Sequence, residues 1–164
     1  MSDQESIRIL LVDDEETLLE FLSKRLLKQG YTVKAALSGE VALNVAEEEP
    51  IDVAVVDLKM PGMDGVETQE RLKEIQPLLQ CIVLTGHGSI QSALESGQQE
   101  AFQYLLKPVD YDQLVAAIKD AYKKKMELQT TKFREEVEKI QASGLGAHGI
   151  RKAIGKLQKT DGIE

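Results

Sequence analysis

The sequence predicts an α/β protein with a doubly wound, five-stranded parallel sheet. Five short apolar runs alternate with five segments whose apolar residues recur at helical spacing. Such alternation implies right-handed strand–helix–strand units, and therefore parallel strands covered by helices on both faces. The clearest run, 51–56, is almost wholly apolar and ends at Asp57, after which Pro61 and Gly62 force a loop. Asp57 is thus predicted at the carboxyl end of a buried strand, where open α/β sheets carry their active sites.

The individual elements follow in order from these patterns. Strands are predicted over residues 7–12, 31–36, 51–57, 80–85 and 101–106. The first helix is expected to end at Gly30. The second is expected to begin near Ser38 and to close before Pro50. The third and fourth helices are predicted over 66–75 and 89–96, and Asp110 is expected to cap the fifth.

Helical periodicity also predicts which side chains face the core. The expected inward residues of the first, second and fifth helices are Leu18, Leu19, Leu22, Leu26 and Leu27; Val41, Ala42, Val45 and Ala46; and Leu114, Val115, Ile118 and Tyr122. The buried strands and these stripes together are enough for one domain with a sound core.

Composition excludes several classes of function. Residues 1–128 hold 13 Lys/Arg and 23 Asp/Glu, so the main body is strongly acidic and ill suited to nucleic acid. No apolar run approaches the roughly 20 residues that a membrane span needs, and the acidic N-terminus is unlike a secretory signal. The single cysteine, Cys81, precludes an internal disulfide and is expected to be buried. We therefore expect a cytoplasmic protein without membrane contact.

Polar side chains end four of the predicted strands. Asp13 and Asp14 follow the first, Asp57 ends the third, Thr85 ends the fourth and Lys107 follows the fifth. Because parallel strands end at one edge, three carboxylates should cluster there, and a cation would relieve their repulsion. Hard oxygen ligands with room for water suit Mg²⁺. With a lysine and a hydroxyl beside the carboxylates, the chemistry that fits is phosphoryl transfer onto Asp57.

These motifs resemble a known family. The aspartate pair, D-L-K-M-P-G-M-D-G from Asp57, T-G-H-G-S from Thr85 and Y-L-L-K-P from Tyr104 look like the receiver domain of bacterial two-component response regulators. The resemblance covers about residues 6–125 and is closest to receivers of the nitrogen-regulation, enhancer-binding type. It implies a flavodoxin-like sheet of strand order 2-1-3-4-5.

The resemblance implies specific roles at the acidic end. Asp57 would accept a phosphoryl group from a phosphohistidine on a sensor histidine kinase. Asp14 and Asp57 would bind Mg²⁺ directly, together with the backbone carbonyl of Lys59, while Asp13 would act through water on the metal. The protein would promote its own phosphorylation and also its own dephosphorylation, which would be slow. It would not be an enzyme in the usual sense.

The resemblance also implies how the signal leaves the site. Thr85 and Lys107 would contact phosphoryl oxygens, and Tyr104 would turn inward when Thr85 moves. The surface of the fourth helix, fifth strand and fifth helix would then change and alter partner binding or dimerisation. A cis peptide is implied between Lys107 and Pro108.

Other residues near the site either modulate the reaction or depart from the family pattern. Lys59 and His87 are expected to tune hydrolysis of the acyl phosphate. The segment before Tyr104 usually reads G-A-x-D-Y, whereas this chain has Glu100 and Gln103 at the glycine and aspartate positions. With Gly97 in the predicted fourth helix, these changes fall on the face expected to signal.

The C-terminal region is predicted to be a separate helical extension. Residues 1–125 form the expected receiver domain, and residues 126–164 a partly flexible tail into which the fifth helix continues. Its apolar stripe is Met126, Phe133, Val137 and Ile140. Two interpretations remain open, a dimerising coiled coil and a helix packed on its own domain. Residues 143–149 should break this helix, and Ile150, Ile154 and Leu157 should form a final amphipathic turn or two.

The residues and the resemblance favour a phosphorylation-activated signalling switch, and two alternative functions fit parts of the sequence. The chain could be the input half of a larger transcriptional activator. It could instead be a hydrolase with an aspartyl-phosphate intermediate, but such enzymes need an aspartate two residues after the nucleophile, where this chain has Lys59. The expected partners are a sensor kinase, an unidentified downstream protein and, as one outcome, a second copy of the chain. Direct binding of nucleic acid is not expected.

Overall fold

The computed structural model describes residues 6–86 and 101–160, with side chains to residue 158. Five parallel strands form one sheet of order β2-β1-β3-β4-β5, which confirms the predicted fold class. The strands are β1 (Arg8–Val12), β2 (Thr32–Ala36), β3 (Val53–Asp57), β4 (Gln80–Thr85) and β5 (Gln103–Leu106). The described helices are α1 (Glu16–Lys28), α2 (Gly39–Glu48), α3 (Gly65–Ile75), α4 (Tyr111–Ala142) and α5 (Ala147–Thr160). The predicted fifth helix is therefore α4 here, and the helix predicted over 89–96 lies outside the described residues.

The strand order reverses next to β3. From β1 the chain steps to one side to form β2, then returns to form β3 on the other side of β1. All residues of β3 are buried, as its apolar sequence predicted. Val12 of β1 pairs with Val56, and Asp57 pairs with Leu84 of β4. Asp57 therefore lies at the topological switch point, on the edge where α/β sheets bind ligands.

Alternation along the strands divides the core between the two faces of the sheet. Ile9 and Leu11 join the cluster that includes Leu22 and Leu26 of α1 and Leu114 and Ile118 of α4. The intervening strand residues join the second cluster, which contains Leu10, Val12, Ala42, Ala46, Leu72 and Cys81. Cys81 is fully buried, as predicted. Burial on both faces explains why the strands read as nearly continuous apolar runs.

The helix boundaries agree closely with the residues that predicted them. Ser38 caps α2 by accepting a hydrogen bond from the backbone N–H of Val41. Asp110 accepts one from the N–H of Gln113 at the start of α4. Gly30 has a φ of 95°, a left-handed conformation in which glycine ends α1 without steric cost.

Two predicted core residues are exposed. Leu27 of α1 is 54% exposed and Val41 of α2 is 44% exposed. The buried residues of α1 that contact the sheet are Leu19, Leu22 and Leu26, and Leu27 is rotated about 100° from Leu26 around the helix axis. Val41 likewise precedes the buried Ala42 by one residue. The two inward predictions were wrong because an apolar pattern sets the direction of a buried face but not its width.

The C-terminal part is more helical than predicted. The chain divides into two compact units between Lys123 and Lys124, and α4 continues across this point to Ala142 as expected. The helix breaks after Ala142, as predicted, and Gly144 in this break has a φ of 81°. However, α5 already begins at Ala147 and has 14 residues, so the extension of the break through Gly149 and the short final helix were wrong. Most residues after Gly149 favour helix, and one glycine in a first turn does not prevent it. Within the described residues, no helix is both long and apolar enough to cross a membrane.

Candidate functional site

The carboxyl edge of the sheet brings together the polar residues that end the strands. Asp13 directly follows β1, and its N–H donates to the carbonyl of Ala36 on β2. Asp57 ends β3, Thr85 ends β4, and the N–H of Lys107 donates to the carbonyl of Thr85. Asp13, Asp57 and Thr85 are buried, whereas Asp14 is exposed. Backbone pairing in the sheet thus positions four of the predicted site residues.

The three aspartates form a compact acidic cluster. One carboxylate oxygen from each of Asp13, Asp14 and Asp57 lies within 4.8 Å of the other two. Two of these residues are buried and Asp14 is exposed, so the cluster opens towards solvent on one side. Carboxylate oxygens with space for water match the ligand preference of Mg²⁺. The donor set therefore fits the predicted metal.

Lys107 neutralises part of this charge. Its Nζ lies 2.9 Å from Asp13 Oδ2, 3.0 Å from Glu15 Oε1 and 3.4 Å from Asp57 Oδ2. Burial favours the neutral amine, but the hydrogen-bonding carboxylates of Asp13 and Glu15 and the charge of Asp57 outweigh it and raise the pKa of Lys107. Lys107 is therefore a fixed positive charge at this edge. The peptide bond between Lys107 and Pro108 is cis, as the resemblance implied.

Close packing holds the backbone of Asp57. The N–H of Lys59 donates to Asp57 Oδ1 at 3.3 Å, and the N–H of Gly65 donates to the carbonyl of Leu58 at 2.9 Å. A Cβ at Gly65 would collide with the carbonyl of Asp57 and would lie 2.7 Å from the Cα of Leu58. Only glycine therefore allows α3 to begin so close to the strand that carries Asp57.

The surroundings of Asp57 disfavour its charge. Burial, reinforced by the negative charge of Asp13, raises the pKa of Asp57 from 3.8 to about 6. The charge of Lys107 and the hydrogen bond from the Lys59 N–H act in the opposite direction but are weaker. An ionised Asp57 consequently destabilises the metal-free fold.

Replacing Asp57 is expected to stabilise the metal-free protein. Above pH 6 the folded state bears the full cost of the ionised carboxylate, so Asp57→Asn should raise the free energy of unfolding by roughly 1–2 kcal/mol after allowance for solvent screening. This gain should shrink as the pH falls through 6, because the folded wild type then takes up a proton, and should vanish near 3.8. Urea unfolding of both proteins in EDTA, at about pH 8 and about pH 5, measures the gain in the free energy of unfolding at each pH. A gain that is the same at both pH values would contradict the raised pKa.

The predicted switch residues lie on adjacent strands. Tyr104 pairs with Val83, two residues before Thr85, and Thr85 pairs with Leu106. Tyr104 is partly buried and packs beside Leu58 and Val83. Thr85 Oγ1 lies 3.5 Å from the carbonyl oxygen of Gly86, a long hydrogen bond that the hydroxyl could exchange for another acceptor.

Five further residues were predicted to modulate the reaction or the signalling face, and two of them are described. His87, Gly97 and Glu100 lie outside the described residues. Lys59 is exposed beside Asp57, and Gln103 is partly buried at the start of β5.

Sequence reasoning missed Glu15 as a member of the site. Its carboxylate contacts Lys107, and its N–H donates to Asp13 Oδ1 at 2.9 Å. The only signal was its position directly after the aspartate pair. Since Lys107 is 92 residues away in sequence, no local pattern could reveal the contact.

The site geometry agrees with a known family. The sequence profile described as "Response regulator receiver domain" matches residues 9–119. The chain belongs to the response regulator receiver domain family. This confirms the resemblance, and the receiver domain is a signalling switch of two-component systems and not a classical enzyme.

Curated relatives of this receiver domain are transcriptional regulators. Transcriptional regulatory protein GlrR of Escherichia coli K12 is 40% identical over 129 residues, which are 79% of this chain and 29% of the relative. Transcriptional regulatory protein ZraR of the same strain is 31% identical over 153 residues, 93% of this chain and 34% of the relative. The chain therefore spans about a third or less of these regulators, which are of the expected enhancer-binding type.

Solved structures of receiver domains share the fold. A CheY-like receiver domain from Methanospirillum hungatei is 30% identical with a TM-score of 0.69, covering 75% of this chain and 98% of that one. The structure described as FixJ-N is 32% identical with a TM-score of 0.65, covering 73% and 96%. Receiver domains generally bind Mg²⁺ at their acidic pocket and receive the phosphoryl group from a histidine kinase.

Proposed function

We propose that this receiver domain accepts a phosphoryl group on Asp57 from the phosphohistidine of a sensor histidine kinase. The observation that carries the proposal is the placement of Asp57 itself. Its buried carboxylate ends the central β3, lies within 4.8 Å of Asp13 and Asp14, and faces the Lys107 ammonium at 3.4 Å. A carboxylate oxygen of Asp57 attacks phosphorus, the phosphorus–nitrogen bond to the histidine breaks, and an acyl phosphate forms.

We assign the remaining site residues to charge compensation. Asp14, Asp57 and the backbone carbonyl of Lys59 would bind Mg²⁺ directly, and Asp13 would act through a water molecule on the metal. When bound, the ion would offset the negative charge of the phosphoryl oxygens. Lys107 supplies a second positive charge within reach of Asp57. Thr85 donates its hydroxyl to a phosphoryl oxygen, and Lys59 and His87 tune the later hydrolysis. The cytoplasm is the location we propose for this reaction.

The acceptor can be identified chemically. The protein is incubated with acetyl phosphate and Mg²⁺, and borohydride then reduces any acyl phosphate before peptide mapping. Reduction at Asp57, dependent on acetyl phosphate and lost in EDTA, is the expected result. Modification of another aspartate with Asp57 unchanged would contradict the proposal.

The output of this receiver is proposed to be a changed surface around Tyr104. Tyr104 and Thr85 lie near each other on β5 and β4, so movement of Thr85 can be passed to Tyr104. The apolar stripe of α4 beyond residue 125 needs a partner, which can be its own domain, a second copy or another protein. A larger activator, of which this chain is the input part, remains the second candidate, favoured by the regulators it partly matches. A hydrolase with an aspartyl-phosphate intermediate is not favoured, since receiver domains are signalling switches and this chain has Lys59 two residues after Asp57.

Phosphorylation is expected to change self-association through residues 126–164. If phosphorylation changes the free energy of dimerisation by a few kcal/mol, the monomer–dimer population shifts visibly. Light scattering on the full chain and on a chain truncated after Lys125, each with and without beryllofluoride, measures the effect. The full chain should change mass and the truncated chain should not. If residues 126–164 affect neither the mass nor its response, the tail is a passive linker.

A further inference from the structure

Among the residues that the structure describes, three carboxylates share the ammonium of Lys107. Asp13 and Glu15 lie at 2.9 Å and 3.0 Å from Nζ, both closer than Asp57 at 3.4 Å. Asp13 and Asp57 are part of the acidic cluster, but Glu15 is not. Lys107 is therefore held partly by a residue that has no place in the proposed reaction.

Glu15 differs from the other two carboxylates in its surroundings. Its side chain is 62% exposed, against 4% for Asp13 and 9% for Asp57. Its backbone is fixed, because its N–H donates to Asp13 Oδ1 and its carbonyl accepts from the N–H of Leu19 in α1. A fixed backbone with a solvent-exposed carboxylate makes a contact that can open without disturbing the fold.

We propose that Glu15 is a positioning residue that holds Lys107 in the unphosphorylated state and thereby slows phosphorylation. The inference rests on the proposed function of Asp57. An incoming phosphoryl group brings negatively charged oxygens to Asp57, and Lys107 must turn towards them. Glu15 competes for the same ammonium and adds a negative charge beside the entering anion. Opening the contact between Glu15 and Lys107 is thus a cost on the path to the acyl phosphate.

A general effect of negative charge near α1 is the competing explanation. Glu16 lies in the first turn of the same helix and is exposed, and no described ion pair joins it to Lys107. Glu16→Gln therefore removes the same charge one residue further along and serves as the matched control. Glu15→Asp keeps the negative charge but shortens the side chain by one methylene. It therefore distinguishes the effect of the contact with Lys107 from the effect of the charge alone.

The test measures the second-order rate constant for phosphorylation by acetyl phosphate at saturating Mg²⁺. The chain has no tryptophan, so phosphorylated and free protein are separated on phosphate-affinity gels and not followed by tryptophan fluorescence. Glu15→Gln and Glu15→Asp should both react about two- to fivefold faster than wild type at low salt, the range expected for loss of an exposed ion pair. Glu16→Gln should react like wild type, and the gain should decrease in high salt.

Two results would overturn the inference. If Glu15→Gln and Glu16→Gln change the rate equally, general charge and not the Lys107 contact is responsible. If Glu15→Asp reacts like wild type while Glu15→Gln is faster, the charge acts without the contact. Failure of the proposed function would give a different result, because the wild type itself would then form no acyl phosphate at Asp57.

Discussion

Asp57→Asn is expected to reduce labelling by acetyl phosphate to background. An amide oxygen or nitrogen is a poor nucleophile towards phosphorus, and Asp57 is the carboxylate that ends the central β3 beside Asp13, Asp14 and Lys107. The substitution preserves the size of the side chain, and the metal-free fold should become more stable. Loss of labelling can therefore not be attributed to unfolding. Intact-mass spectrometry after incubation with acetyl phosphate and Mg²⁺ measures the labelled fraction.

Asp64→Asn is the matched control for this experiment. Asp64 lies in the loop that follows Asp57, is exposed, and caps α3 by accepting a hydrogen bond from the N–H of Glu67. Asparagine caps helices about as well as aspartate, so the control makes the same chemical change without loss of the cap. Asp64→Asn should label like wild type. Labelling of Asp57→Asn at the wild-type level would refute the assignment of Asp57.

Asp14→Ala is expected to remove most of the Mg²⁺ affinity. Asp14 is the exposed member of the acidic cluster and makes no described ion pair, so a metal ligand is the simplest use for its carboxylate. Loss of one of three clustered charges should weaken Mg²⁺ binding by about tenfold or more. The affinity is measured from the midpoint temperature of thermal unfolding as Mg²⁺ is added. An ion that binds only the folded state raises this midpoint temperature.

Glu16→Ala controls for the overall loss of charge. Glu16 lies two residues after Asp14, also exposed, but is not a member of the cluster. Its Mg²⁺ titration should follow that of wild type, apart from a small change that salt screens. Identical titrations for Asp14→Ala and wild type would show that Asp14 does not hold the metal.

Much of this protein could be predicted from local patterns. Apolar runs that end at Asp13, Asp57 and Thr85 identified the strands and the edge where the site lies, because strand burial and the edge of a parallel sheet follow directly from the chain. Ser38 and Asp110 marked helix starts for an equally local reason, since a cap bonds to a backbone group three residues away. The roles of the site residues and the domain boundary near residue 125 stay predictions.

Sequence reasoning failed where the outcome depends on distant parts of the chain. Leu27 and Val41 fit an apolar pattern, but the width of the face that packs on the sheet leaves them exposed. The length of α5 is a local exception, because the predicted break through Gly149 overestimated the effect of one glycine in a first helical turn.

By itself, the sequence determined the fold class, the edge of the sheet that carries the site and the carboxylate at its centre. These depend on apolar periodicity and on which residue ends each strand, and both are local properties. Only the tertiary structure decided the electrostatics of the site. The raised pKa of Asp57 and the capture of Lys107 by Glu15 result from burial and from contacts between residues far apart in the chain. Such interactions depend on distance in space, which no local pattern encodes.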